Sequence, residues 1–326
     1  MKNIAVLAGG YSSERQISLN SGMQVLESLD KTLYNAYLVE VNIDGFFCVE
    51  KAEKFPVNLN DFSCNLPEKM IKFDFAYIVI HGSPGEDGKI QAYLDILNIP
   101  YSSCSVYASV ISFNKLACKN ILKDTGVYLA KSMRINKNKN FSLDELVEEI
   151  GLPCFVKPNT AGSSYGVTKV YEKDKLIEAI NHAAKEDDTI IVEEFIQGIE
   201  VSCGILKTNK NEIVFPVTEI FTKNDYFDTE AKYKPELTDE ITPARISDEE
   251  TKAVQDFTSF IYDILELSGI VRIDYIIKNN KPYFLEVNSI PGMSAESIIP
   301  KQIRTINKSV KEILSLVIES KFNKDL

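Results

Sequence analysis

Near the C-terminus, in residues 269–293, two runs of alternating apolar and polar residues flank a polar turn. Paired as an antiparallel hairpin centred near Asn280, they set Asp274 opposite Glu286 and Arg272 opposite Asn288. Side chains along a strand alternate between faces, so these polar groups share one face, while Val271, Ile273, Tyr275, Leu285 and Val287 supply the other. The pattern predicts a chemical face backed by a core.

Upstream, residues 3–8 read as a buried strand, Gly9 and Gly10 as a tight turn, and residues 18–29 as a helix whose N-terminus faces that turn. Strands at 37–43 and 75–80 complete an α/β layer. The last of these ends in the loop 81–88, at a strand end where such layers carry ligands. A helix around 106–125 is followed by strands at 153–158, 166–171 and 189–195. Further strands at 201–206 and 213–220 and a long helix at 248–267 lead to the hairpin. A chain of 326 residues exceeds what one hydrophobic core usually supports. The predicted parts are 1–104, 105–193 and 194–326.

With 44% hydrophobic and 25% charged residues the chain reads as globular, and its net charge of -11 disfavours attraction to nucleic acid or anionic membrane. No apolar run reaches the ~20 residues that span a bilayer, so a cytoplasmic protein acting on small metabolites is expected. The six cysteines are scattered, without a CxxC pair, and only two histidines accompany them. Reduced, buried thiols follow, not a zinc site.

Two carboxylates and an amide oxygen held together repel one another unless a cation joins them, and an all-oxygen set suits Mg²⁺. Such a site usually also holds nucleotide phosphates. The stretch 157–167 joins two strands through glycines and serines, including Ser163 and Ser164, whose amides and hydroxyls can wrap phosphate oxygens. The GxxxxGK[ST] order is absent. Lys157, at a strand end, and Lys115, at a helix start, are candidate phosphate ligands. Glu193, Glu194 and Glu200 offer acceptors to a purine amine and ribose hydroxyls, while Phe195 and Ile196 cover the ring.

In order and spacing, GGYSSERQIS, HGSPGEDG, VKPNTAGSSYGV, EEFIQGIE, YFDTEAKY, RIDY and LEVNSIPGM closely resemble the D-alanine–D-alanine ligase family of ATP-grasp enzymes. The resemblance spans essentially the whole chain. It implies an α/β fold of three-domain ATP-grasp architecture with a Rossmann-like N-terminal domain, and ATP held between the central and C-terminal domains. It also implies joining of two D-alanine molecules for peptidoglycan synthesis, by a homodimer, with Asp274, Glu286 and Asn288 binding two Mg²⁺ and Mn²⁺ able to substitute. Lys115 and Lys157 match phosphate contacts, and Glu193 and Glu200 match the adenine and ribose positions. Glu14 matches the residue that holds the first D-alanine's ammonium. Ser164 and Tyr233 match its hydrogen-bonding partners, which couple the glycine-rich loop and the loop bearing Lys232 to the closed site. His81 matches a histidine near the first substrate. Arg272 and the Gly292 amide match the oxyanion donors, and Ser297 matches the hydroxyl that receives the second carboxylate. The loops 160–165 and 224–234 are the expected lids.

The chain departs from the family pattern at Ser102 to Ser105, Ala92, Asn114, Ser289 and Glu296, the last placing a negative charge near a carboxylate site. Two other readings compete. A nucleotide-cofactor dehydrogenase is weakened by the missing GxGxxG, and an ATP-binding sensor without chemistry is disfavoured by the intact polar set.

Overall fold

The computed structural model describes residues 1–160, 162, 165–222 and 238–323. Ser163, Ser164, Lys232 and Tyr233 lie outside the described residues, as do most of the two expected lid loops. In the first sheet, Lys2–Gly9 runs parallel to both of its neighbours, Tyr34–Asn42 and Phe75–Ile78. The helix Arg15–Ser28 makes the crossover. Ile4, Val6 and Ala8 enter one apolar cluster and Ala5 and Leu7 another, as expected of a strand covered on both faces. Gly9 adopts φ +104°, and a Cβ there would lie 2.6 Å from the Val41 carbonyl, so the tight turn requires glycine. The sheet continues through antiparallel strands Gly45–Glu50, Glu53–Asn58, Ser63–Asn65 and Met70–Lys72.

A second, four-stranded sheet holds Ser132–Asn136, Cys154–Pro158, Thr168–Val170 and Thr189–Glu194, over a core of its own. The third sheet is centred on Ile199–Lys207, Gly269–Lys278 and Lys281–Asn288. The helices Val106–Phe113, Lys115–Leu122 and Asp248–Ile264 contribute to its main apolar cluster. The C-terminal helices Ile298–Thr305 and Val310–Phe322 pack against the first sheet, which ties the two ends of the chain together.

The expected single helix at 106–125 is two helices, because Asn114 leaves helical geometry and accepts a hydrogen bond from the Ala117 amide as the second helix's cap. The strand expected at 213–220 is likewise two, Glu212–Val214 and Thr218–Thr222, with Pro216, which has no N–H to give a ladder, between them. All six cysteines are buried and unbridged. Among the described residues, no helix is long and apolar enough to cross a membrane.

Candidate active site

The C-terminal hairpin turns at Asn279 and Asn280, both left-handed (φ 52° and 59°), the geometry of a two-residue type I′ turn. That turn sets Lys278 opposite Lys281 and Tyr275 opposite Phe284. Continued unchanged, the register would carry Glu286 to the core face. A one-residue bulge at Leu285 shifts the pairing, so that Asp274 meets Glu286 and Arg272 meets Asn288, as the alternation predicts. The expected apolar face is corrected at one position. Phe284, 1% exposed, packs beside Tyr275, and Leu285 is left half-buried.

Ser202 on the neighbouring strand pairs with Asp274 and donates its hydroxyl to Oδ1. Arg272 grips Asp274 through two parallel bonds of 2.9 Å, and the Asn288 amide donates to Oδ2 at 2.8 Å. Burial pulls the Arg272 pKa down, but Asp274 beside it outweighs burial and holds the guanidinium above its usual range. Glu286 sits next to Asp274 with Lys115 Nζ 3.3 Å away. Among the described residues, no three His, Cys, Asp or Glu side chains gather to hold a metal. The set here is two adjacent carboxylates and an amide oxygen, and two cations already offset their charge. Such an all-oxygen set fits a hard divalent ion.

Lys115 is fixed by its backbone. Its amide donates to the Asn159 carbonyl at 3.2 Å, and the Leu116 amide donates to the Asn159 side chain at 2.9 Å. Asn159 follows Lys157 and Pro158, so the helix carrying Lys115 and the strand carrying Lys157 are bound to one another. Both oxygens of Glu193 are taken by lysines, Oε1 by Lys157 at 2.6 Å and Oε2 by Lys119. Glu194 accepts from the Lys131 amide at 3.0 Å. Ile196 is buried, and the Phe195 ring lies 6.0 Å from Phe155 with the Lys169 ammonium 3.9 Å from its centre. Glu200 is half-buried, at a strand position paired with Ile276.

Glu14, His81, Arg272, Gly292 and Ser297 line one cleft of about 370 Å³, shared with Glu86, Glu240 and Glu296. Glu14 stands at the N-terminus of the first helix without capping it. Gly162 of the glycine-rich loop approaches so closely that a Cβ would lie 2.6 Å from the Glu14 carboxylate. His81 is 7% exposed, and its Nδ1 donates to the Ile290 carbonyl at 3.0 Å. That bond places the proton on Nδ1, and burial, the largest influence, lowers the ring's pKa. Nε2 is thus a buried acceptor with no partner among the described residues. The Met293 amide, 3.3 Å from the Ser21 hydroxyl, also ties loop 289–293 to the first part of the chain. Ser297 stands at the N-terminus of the following helix without capping it, and its hydroxyl bonds Ser294 at 2.7 Å. That helix is pinned by buried Gln302, whose amide donates to the Ser202 carbonyl at 3.0 Å.

Sequence reasoning missed Glu86, in a motif it had identified, Ser202, in an expected strand, Lys119, in an expected helix, and Glu240, in the strand Thr238–Ile241 that it had not expected. Glu86 lies in the loop after the third parallel strand and accepts from the Gly82 amide at 2.7 Å. Burial, and then the charge of Glu14, push its pKa up to about 8 from 4.5. The folded protein therefore holds a proton that the unfolded chain gives up above pH 4.5, and stability falls as pH rises from there through about 8. Glu86→Gln, uncharged throughout, should gain on the parent in melting temperature between about pH 5 and about pH 8. A difference that does not change with pH would mean that Glu86 is ionised in the fold.

A family profile described as D-ala D-ala ligase N-terminus matches residues 3–104, and one described as D-ala D-ala ligase C-terminus matches residues 121–319. The chain belongs to the D-alanine–D-alanine ligase family. The D-alanine–D-alanine ligase of Azobacteroides pseudotrichonymphae genomovar. CFP2 is 50% identical over 324 residues, 98% of this chain and 100% of that protein. Among solved structures, the VanG D-Ala:D-Ser ligase of Enterococcus faecalis is 30% identical with TM-score 0.87, over 98% of this chain and 99% of that one. The D-alanine–D-alanine ligase of Bacillus anthracis complexed with ATP is 29% identical with TM-score 0.79, over 99% of this chain and 98% of that one. Membership of this ligase family sets aside the dehydrogenase reading.

Several of the chain's departures from the D-alanine–D-alanine ligase pattern have structural explanations, though nothing in the structure explains Ala92 or Ser289. Asn114 supplies the cap oxygen an aspartate would. Ser102 accepts from the Ile78 amide at 2.9 Å, and Ser105 caps the helix Val106–Phe113. Glu296 is 88% exposed at its side chain and faces Lys301 at 3.7 Å, which also meets Glu240 at 3.2 Å. Lys301 is thus shared between two carboxylates at the cleft's edge, and solvent screens the exposed one.

Proposed function

We propose that this protein joins two D-alanine molecules to D-alanyl-D-alanine, with ATP converted to ADP and phosphate, as a step in peptidoglycan precursor synthesis. The observation that carries this reading is the meeting of the Asp274, Glu286 and Asn288 face with the cleft of Glu14, His81, Arg272 and Ser297. Asp274, Glu286 and Asn288 would hold the divalent ions, two Mg²⁺ with Mn²⁺ able to substitute, which neutralise the triphosphate when bound. Lys115 and Lys157 position its phosphates, and Glu194, Phe195, Ile196 and Glu200 border the nucleoside. The glycine-rich loop with Ser163 and Ser164, and the loop with Lys232 and Tyr233, exclude water.

A carboxylate is a poor electrophile. An oxygen of the first D-alanine's carboxylate attacks the γ-phosphorus, ADP leaves, and an acyl phosphate remains. Glu14 and the Nε2 lone pair of His81 are paired acceptors for that substrate's ammonium. The second substrate, its carboxylate on Ser297, attacks the carbonyl carbon through its amine once a proton has left. The oxyanion that forms is met by Arg272 and the Gly292 amide. Collapse breaks the carbon–oxygen bond and releases phosphate. The reading includes a cytoplasmic homodimer acting away from membrane and nucleic acid.

Purified protein with Mg-ATP should release ADP and phosphate in a D-alanine-dependent way, with a product of dipeptide mass. Nucleotide binding without release would favour the sensor reading.

A further inference from the structure

The helix Lys115–Leu122 stands between two sheets and presents Lys115 and Lys119 on one face, a turn apart. Lys115 reaches Glu286 on the third sheet, and Lys119 reaches Glu193 on the central one. Lys119 is 6% exposed, and its ammonium donates to the Ala130 carbonyl at 3.1 Å as well as to Glu193. It therefore sits behind Glu193, while Lys157 holds the opposite oxygen of that carboxylate.

We propose that Lys119 is a positioning residue for nucleotide binding: by sharing the Glu193 carboxylate, it leaves the charge of Lys157 available to the nucleotide's phosphates. The inference rests on Lys157 as a phosphate ligand and adds a residue that no motif in the sequence singles out. Two ammonium groups and one carboxylate carry a net positive charge. Without Lys119, Lys157 and Glu193 close into a neutral buried pair, and Lys157 must break that pair before it can meet a phosphate. Burial works against ionisation of both Glu193 and Lys119. For Glu193 the two lysines outweigh it and hold the carboxyl at about 2. For Lys119 burial wins over the pull of Glu193 and lowers the pKa below its usual value. Each oxygen of Glu193 accepts from one lysine and keeps a further lone pair, so an adenine amine would share the carboxylate with both.

The test is calorimetric binding of ADP and of adenosine to four proteins: parent, Lys157→Met, Lys119→Met, and the double variant Lys119→Met/Glu193→Gln. Lys119→Met should weaken ADP about tenfold and adenosine less than about twofold, because only the phosphates meet Lys157. The double variant, which removes the carboxylate along with its second partner, should return the ratio of ADP to adenosine affinity to within about threefold of the parent's, whatever Glu193 contributes to the nucleoside. Equal losses for ADP and adenosine in Lys119→Met would show a structural role only and overturn the proposal. So would unchanged ADP binding in Lys119→Met beside weakened binding in Lys157→Met. Unchanged ADP binding in Lys157→Met would overturn the phosphate reading and this inference with it. Should Lys119→Met fail to fold, Glu193→Gln is compared with the double variant. With no carboxylate left to share, the two should have the same ratio of ADP to adenosine affinity, and a changed ratio contradicts the charge account.

Discussion

Glu286→Gln is expected to lower turnover by about 100-fold or more while leaving the fold intact, since a metal-borne charge stabilises such a transition state by several kcal/mol and each ~1.4 kcal/mol is a factor of ten. The substitution keeps shape and removes one negative charge from the pair beside Asp274. Its structural cost is small, because the Glu286 side chain is 28% exposed and its ion pair with Lys115 spans 3.3 Å. Losing the ion pair is partly offset, because the substitution also relieves the repulsion between Glu286 and the Asp274 carboxylate opposite it. Circular dichroism and thermal unfolding should therefore match the parent while ADP release collapses. Near-parent turnover would refute the metal assignment.

Arg272→Lys should be nearly as damaging although it preserves the charge. A lysine cannot reproduce the two parallel bonds that fix the guanidinium to Asp274, nor offer further N–H groups from the same plane to a developing oxyanion. Losing one preorganised donor typically costs about 10²–10³ in kcat. The fall should appear equally in kcat and kcat/KM for D-alanine, with ATP affinity largely kept, the signature of an interaction made in the transition state. A change confined to KM for ATP would move Arg272 from the oxyanion to the nucleotide.

Both residues were legible in the sequence, because strict alternation around one polar turn fixes which side chains share a face. The bulge was not. It depends on Asn279 and Asn280 forming a two-residue turn, and only the conflict between that turn's register and the polar pairing requires an extra residue at Leu285. The break at Asn114 was hidden for a similar reason, since a capping asparagine between two apolar-periodic stretches resembles a polar position on one helix. Glu14, His81 and Ser297 carry little signal individually, and it was the order of motifs that singled them out. Lys119 had no such support. A lysine is most often a solvated surface group, and only the fold reveals this one buried beside Glu193.

The central claim, that the first substrate's acid is activated by phosphorylation beside the hairpin face, is tested most directly by isotope transfer. D-alanine carrying ¹⁸O in its carboxylate is turned over with unlabelled Mg-ATP, and the released phosphate is analysed by mass. Attack of the carboxylate on the γ-phosphorus, followed by cleavage of the carbon–oxygen bond, predicts phosphate containing a single ¹⁸O atom. Unlabelled phosphate released together with dipeptide would contradict the account.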